Sequence, residues 1–473
     1  MGIAILVDFG STYTKVVAAD LEEARLLGRA QAPSTVDSDV MVGLQAALAD
    51  LKAKTGIGAE SAVVKLACSS ASGGLRMAAV GLVPWLTAEA AQRAALGAGA
   101  KVVRVFCHEL TEEEITELET LAPDMLLLAG GTDGGNRETI IHNARAIAAS
   151  TVQSPVVVAG NKAARREVAA ALRQEGQPFY LTDNVMPELN VLDVEPARAC
   201  IREVFMAHIV EAKGLERARQ FVQDIIMPTP MAVLEASRLL ARGAGEEDGL
   251  GELVVVDVGG ATTDIHSIGE GRSGDGAIPR GLPEPYAKRT VEGDLGTRIN
   301  APSVMEAARG RGYFPLLQGA AVGRKTDYLS NHIDTLPHSE EEHALDVALA
   351  GAAVEIAMAR HAGHIEVMYT PTGPVNLLTG KDLTGVATFI GTGGVFAFGA
   401  APQPVLEAGL YREDEPHSRR PRSPELFIDS QYILYAMGLL GRVAPQTAIK
   451  MMKSSLKKLH ASVASGRREG PCA

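Results

Sequence analysis

ILVDFGSTYTKVVAAD, residues Ile5–Asp20, is the stretch on which the fold assignment turns. An apolar run ends in Asp8 and turns through Gly10. The turn offers Ser11, Thr12, Thr14 and Lys15 before the chain becomes apolar again. A surface hairpin needs a glycine and one hydroxyl. It does not need an acid, three hydroxyls and a lysine together. Glycine lets backbone N–H groups approach an oxyanion closely. The hydroxyls add donors, Lys15 adds positive charge, and Asp8 can hold Mg²⁺ through water.

The plan recurs downstream. VVVDVGGATTDI, Val254–Ile265, is again an apolar strand ending in an acid, Asp257, with glycines Gly259 and Gly260 and hydroxyls Thr262 and Thr263. Two acid-ended strands feeding glycine–hydroxyl turns imply two lobes facing one anion. A third turn, IGTGGVF at Ile390–Phe396, carries Gly391, Gly393 and Gly394 and offers bare backbone to the flat face of a nucleoside.

Composition narrows the field. A chain of 473 residues exceeds one simple core and fits roughly two to four lobes. The net charge of −12 argues against a duplex nucleic-acid partner, which needs a basic stripe. The basic clusters His417–Arg422 and Lys450–Arg468 read as solvated loop and tail. Cys68, Cys107, Cys200 and Cys472 are scattered without a C-x-x-C pair, which argues against a zinc or iron–sulfur cage and a disulfide scaffold. The chain enters a strand bearing Asp8 at once, unlike a signal peptide, and has no uncharged apolar run near the roughly 20 residues that span a bilayer. A cytoplasmic protein without a membrane partner is expected.

Strand-like and helix-like runs alternate almost throughout, so the class is α/β. Val42–Gly56 reads as an amphipathic helix stopped by glycine. From Ala62 to Thr182, AVVKLACSS, KVVRVF, DMLLLAGG and PVVVAG read as four strands of a separate parallel module with its own core. Helices are expected at Thr111–Leu121 and Asn136–Ser150. Glu195–Arg242 is expected to be helical with a break at MPTP, Asp275–Pro285 a loop, and Pro302–Arg360 mostly helical. Glu413–Ser423 is expected to be mobile, and the closing segment helical. The division expected is 1–61 as the first part of one lobe, 62–182 as the inserted module and 183–245 as the rest of that lobe. The second lobe takes 246–412, and 413–473 a mobile loop, closing helix and tail.

Within AGGTDGGN, Ala129–Asn136, two readings stay open: an anion cradle at a helix start, or a tight turn with Asn136 as N-cap. His108, His142, His266 and the pair His361/His364, placed at i, i+3 on a helix, show no diagnostic ligand spacing.

The three turns in this order resemble the actin-like ATPase superfamily, whose fold is a duplicated ribonuclease H-like lobe. DFGSTYTK matches its first phosphate motif, DVGGATTD the second with Ala261 at a frequent glycine, and FIGTGG the adenosine motif. PTPMAVLEASRLL looks like the helix crossing between lobes, and YILYAMGLL like the closing helix. Each carries small residues (Ala232, Ala236; Ala436, Gly438) at helical spacing. With LLLAGGTDGGN, VEGDLGTR and DSQYILYAMGLL, the whole chain resembles the MutL-type accessory proteins of glutamate mutase, a family apart from the mismatch-repair ATPase that shares the name.

The resemblance implies ATP and Mg²⁺ as cofactors, with Asp8 and Asp257 on the metal and attacking water. It puts Gly10, Ser11, Thr12, Thr14, Lys15, Gly259, Gly260, Thr262 and Thr263 around the phosphates, and Gly391, Gly393 and Gly394 under the adenosine. It implies a reactivating chaperone that acts on the subunits of an adenosylcobalamin-dependent mutase, and it admits a homodimer. The inserted module resembles the Rossmann-like cobalamin-binding domain of the mutases. The loop that there carries a cobalt-ligating histidine reads CSSASGG here, Cys68–Gly74, so any cobalamin contact would lack histidine ligation. The module is expected to dock the mutase. The alternatives are a small-metabolite kinase using Asp264 or Asp294 as base, an iron–sulfur electron donor disfavoured by the cysteine pattern, and a filament protein.

Overall fold

The computed structural model describes residues 2–10, 12–35, 39–70, 75–205, 216–222, 226–272, 274–313, 319–371 and 373–459. Ser11, Cys472 and the ends of the Cys68–Gly74 loop and the Lys450–Arg468 cluster lie outside them.

Two sheets repeat one plan. In the first, Ile3–Phe9, Tyr13–Asp20 and Arg25–Pro33 form an antiparallel meander. Ala62–Ser69 and then Ile226–Pro228 add in parallel on the other side of the opening strand. In the second, Leu253–Val258, Thr263–Ile268 and Ala287–Glu292 form the meander. Thr388–Thr392 and Glu425–Asp429 add in parallel, and Leu456–Lys458 closes the edge. Strand order 3-2-1-4-5 therefore occurs twice, which is the duplicated actin-like α/β architecture.

Helices Thr229–Arg242 and Leu434–Leu440 lie between the sheets. One face of each sheet, Ala4, Leu6 and Val17 from the first and Leu253, Val255 and Ile268 from the second, shares a buried cluster with Ala232, Leu240, Ala436 and Leu440. The small residues permit this. A Cβ on Gly438 would lie 1.8 Å from the Ala232 carbonyl oxygen. The far face of the second sheet packs against helix Glu340–His361. Helix Val40–Thr55 covers the first sheet and ends at Gly56, φ 75°, where glycine is favoured.

The module differs from expectation in its first strand. Ala62–Ser69 pairs with the opening strand and belongs to the first lobe. The inserted sheet is fully parallel, in the order Lys101–Cys107, Arg76–Gly81, Met125–Leu128, Val156–Val158, Phe179–Leu181. The second strand in that order, RMAAVG, is alanine-rich and was not among the four expected. Nor does the module have a core of its own on both faces. Ala78, Val80, Leu126 and Leu128 face a private cluster. Met77, Ala79, Leu127 and Val157 join the cluster that holds Ile5, Val7, Leu44 and Leu51 of the first lobe.

Three further expectations need correction. Glu413–Ser423 is not a mobile charged loop. Arg419 and Arg420 are buried, Arg420 reaching Ser418 and Glu415, and Arg419 exchanging backbone hydrogen bonds with Gly363 and Leu383. Charges partnered within the protein need no solvent. His361 and His364 do not share a helix, because the helix ends at His361 and His364 begins a strand. The Asp275–Pro285 loop contains a short strand, Ile278–Arg280.

Candidate functional site

Strand register assembles the first half of the site. Asp8 and Lys15 are directly opposite on antiparallel neighbours, and Cys68 is opposite Asp8 on the parallel side. Gly10 closes the hairpin through its N–H to Tyr13 O at 3.1 Å, and a Cβ there would lie 2.6 Å from that oxygen. Asp8 is buried. Its Oδ2 accepts from Lys15 Nζ at 2.8 Å. Its Oδ1 accepts from Thr229 Oγ1 at 2.6 Å, with Cys68 Sγ 3.6 Å away. Thr229 opens the interlobe helix. Burial would lower the Lys15 ammonium, but the Asp8 carboxylate and the Tyr432 and Tyr435 hydroxyls outweigh it and hold Lys15 well above its usual range.

The second half repeats the device. Asp257 has Asp264 opposite on one side and Thr392 on the other. Burial first, then the Asp264 carboxylate, pushes Asp257 up to about 7, against the pull of Lys15. Gly259 N–H closes this hairpin onto Thr262 O at 2.9 Å. Arg298 and Ile299 amides donate to Gly260 O, and the Arg298 guanidinium pairs with both oxygens of Asp346. The two turns meet: a Cβ on Gly260 would stand 3.9 Å from Thr12 Oγ1.

The third turn sits beside Asp257. Gly393, φ 106°, brings the backbone so near that a Cβ would lie 2.4 Å from Val258 O and 3.1 Å from Asp257 Oδ1. At Gly391 a Cβ would strike the Phe396 ring at 2.6 Å, so that glycine serves packing. At Gly394 a Cβ would meet nothing within 4 Å. The protein's own packing does not require that glycine, and its surface is open.

Two expected phosphate ligands face elsewhere. Thr14 neighbours Lys15 on a strand and so points to the opposite face. It is buried against the first-lobe core, its hydroxyl 3.1 Å from where a Cβ on Gly43 would stand. Thr263 is buried and donates to Leu295 O at 2.6 Å, whereas Thr262 stays partly exposed beside Asp264. Ser11 lies outside the described residues. The structure thus brings together Asp8, Lys15, Gly10, Thr12, Asp257, Gly259, Gly260, Thr262, Gly393 and Gly394.

Neither candidate kinase base is free. Asp264 pairs with Arg289 through Nε at 2.8 Å and Nη2 at 2.6 Å. Arg289 Nη1 donates to Leu96 O at 3.0 Å and Ala100 O at 2.8 Å. Asp294 pairs with Arg360 at 3.3 Å on an exposed surface.

Sequence reasoning missed four contributors: Thr229, Cys68, Asp429 and Tyr432. Asp429 is buried. Its Oδ2 accepts from Thr392 Oγ1 at 3.0 Å and from the N–H groups of Ile433 and Leu434 at 2.8 and 2.9 Å. An aspartate four residues before an apolar helical run was the available signal.

The donor set fits Mg²⁺ with a nucleotide. Among the described residues no three metal-capable side chains cluster, and Asp8 and Asp257 stand at the strand ends that lead into the meeting turns. Mg²⁺ is held in this way, by few carboxylates plus water and phosphate oxygens. The raised Asp257 marks charge that a cation would relieve.

The glycine loop of the module resolves toward a tight turn. Gly134 N–H donates to Asn161 Oδ1, Gly135 N–H to Thr132 O and Asp133 N–H to Pro187 O. These amides are already used. Asn136 Oδ1 accepts from Thr139 N at 3.2 Å, but from one residue before the N-cap position, which Arg137 holds ahead of helix Glu138–Ala148. No helix among the described residues is long and apolar enough to cross a membrane.

Among solved structures, the chain is similar to a nucleotide-free diol dehydratase-reactivating factor at 12% identity, covering 93% of this chain and 99% of that one with a TM-score of 0.37. It is similar to a ligand-bound xylulose kinase from Lactobacillus acidophilus at 9% identity, covering 97% and 93% with a TM-score of 0.35. At these scores the likeness carries no functional argument. It is 49% identical over 462 residues to protein MutL of Clostridium tetanomorphum, covering 97% of this chain and 100% of that one. The family model described as MutL protein matches residues 4–456, and the chain belongs to the MutL protein family.

Proposed function

We propose that the protein binds and hydrolyses ATP with Mg²⁺ and uses closure of its two lobes to remodel an adenosylcobalamin-dependent mutase of the glutamate mutase type. The observation that carries the nucleotide reading is the pair Asp8 and Asp257. They stand at equivalent strand ends of two equivalent sheets, and their glycine turns meet at Thr12 and Gly260.

Asp8 and Asp257 would hold the metal through water. Bound Mg²⁺ offsets charge building on the phosphoryl oxygens. Lys15 presents its ammonium from the first turn, and Thr12, Gly259, Gly260 and Thr262 supply donors. Asp257, at the end of its strand beside the second glycine turn, is placed to accept a proton from the attacking water at a carboxylate oxygen. Gly393 and Gly394 give a flat floor for the nucleoside. The pairing of Asp264 with Arg289 speaks against the kinase alternative, which needs a free base. Family membership and the inserted parallel sheet support a mutase partner.

Radiolabelled ATP separates the readings. Free phosphate supports the ATPase, and a labelled small product would reverse the assignment to a kinase. Asp8→Ala and Asp257→Ala should each lower hydrolysis at least about a hundredfold, the scale of a key electrostatic group. Hydrolysis at the wild-type rate in either folded variant would remove the site. For the partner, the mutase subunits should be retained on the immobilised full chain in an ATP-dependent manner. Their absence from the bound fraction in both nucleotide conditions would remove that half of the proposal.

A further inference from the structure

Tyr432 opens the YILYAMGLL stretch, where no role was assigned to it, and its backbone is unusual. It is a non-glycine residue in the left-handed region, φ 52°, a conformation that costs of order 1 kcal/mol and persists where surroundings over-determine it. Here they do. Tyr432 N–H donates to Asp429 O at 3.1 Å, and the next two amides donate to Asp429 Oδ2. Asp429 Oδ1 accepts from Ser455 Oγ at 2.6 Å, and Arg29 of the first lobe holds Gln431 O at 2.9 Å. The Tyr432 ring meets Phe398 and Tyr435 edge-on, at 6.5 and 6.0 Å between centroids.

The constrained backbone carries the phenol from the closing segment of the second lobe to Lys15 of the first. Lys15 Nζ donates to the Tyr432 hydroxyl at 3.3 Å and lies 4.8 Å from its ring centroid and 5.4 Å from that of Tyr435. An ammonium has three N–H donors. Asp8 takes one and Tyr432 another. Two anchors from two lobes fix the ammonium and leave one donor for an incoming oxygen.

We propose that Tyr432 is a positioning residue that holds the Lys15 ammonium across the lobes for an anionic ligand of the cleft. The proposal rests on the nucleotide reading above for the identity of that ligand. The anchoring itself is a property of the chain alone. A purely structural role, in which Tyr432 only caps the closing helix, predicts no special dependence on Lys15.

The test uses the full chain as wild type, Tyr432→Phe, Lys15→Ala and the double variant. Phenylalanine keeps the ring contacts and removes the hydroxyl, and a Tm near wild type checks folding. Without nucleotide, trace acetylation read by mass spectrometry should label Lys15 at least about threefold more in Tyr432→Phe, relative to Lys101 in the same sample, because a charge-assisted bond shields the amine. With a non-hydrolysable ATP analogue, calorimetry should show Tyr432→Phe weakening Kd about tenfold, the worth of one such bond, and having no effect in the Lys15→Ala background. Unchanged Lys15 labelling, or the same loss in both backgrounds, would overturn the proposal. If the wild type binds no analogue, the nucleotide reading fails, and the labelling arm still decides the anchoring by itself.

Discussion

Asp257 faces Asp264 across the hairpin, and the Asp8 and Asp429 carboxylates add to the same field. Its carboxyl stands at about 7 against an ordinary 3.8. The native state therefore keeps a proton that the unfolded chain has released between those values. The associated stability is intact below about pH 4 and is lost as pH rises to 7. Asp257→Asn should raise Tm by about 2–5 °C at pH 8, with the gain fading toward pH 4. Scanning fluorimetry across that range checks it, and a gain independent of pH would contradict the assignment. Thr229→Val, which removes the donor to Asp8 Oδ1, should lower ATP hydrolysis about tenfold with Thr229→Ser restoring it, in steady-state assays. That Asp8, Lys15 and Asp257 come together was legible because chemistry-bearing residues cluster on two similar turns. Thr14 and Thr263 were misplaced because hydroxyls were counted by type, although strand alternation forbids Thr14 and Lys15 from sharing a face. Tyr432 and Thr229 lie in two of the quoted helical stretches, but nothing local marks their side chains, since folding brings them to Lys15 and Asp8 from more than two hundred residues away.

The helix pair between the sheets depends on Gly438. Gly438→Ala would place a methyl against the Ala232 carbonyl and should cost about 1–3 kcal/mol, the usual range for overpacking, read as a lower urea midpoint with an unchanged slope. At this scale strand existence was easier to read than strand membership. Ala62–Ser69 is a clear apolar run, but no local pattern says which sheet it joins. Arg76–Gly81 went unseen because Ala78 and Ala79 give little β signal. The three-residue strand Ile226–Pro228 falls on the MPTP break, where proline pointed away from a strand. It pairs at the sheet edge, which tolerates proline. Arg419 and Arg420 read as solvated because a charge run does not reveal that Asp275, Asp382 and Glu415 answer it internally.

Across the whole molecule, Arg289 ties the Asp264 hairpin of the second lobe to the Leu96 and Ala100 carbonyls at the end of helix Glu89–Gly97. Arg93 on the same helix reaches back to Pro283 O and Glu284. The hairpin bearing Asp257 is thereby linked to the helix that follows strand Arg76–Gly81 of the module. Arg289→Met leaves Asp264 buried without its partner and should destabilise the chain by about 3–5 kcal/mol, measured by denaturant unfolding. Pairing it with Asp264→Asn should recover much of that loss. The cluster shared by Ile5, Val7, Leu127 and Val157 has a consequence for how the chain opens. Water cannot reach one side of that cluster without stripping the other, so the inserted sheet and the opening strand form one cooperative unit. Deuterium uptake should report it: slow amides of Met125–Leu128 and Ile3–Phe9 should exchange with one common opening free energy. A graft of this sheet onto another scaffold would carry a bare apolar face into solvent.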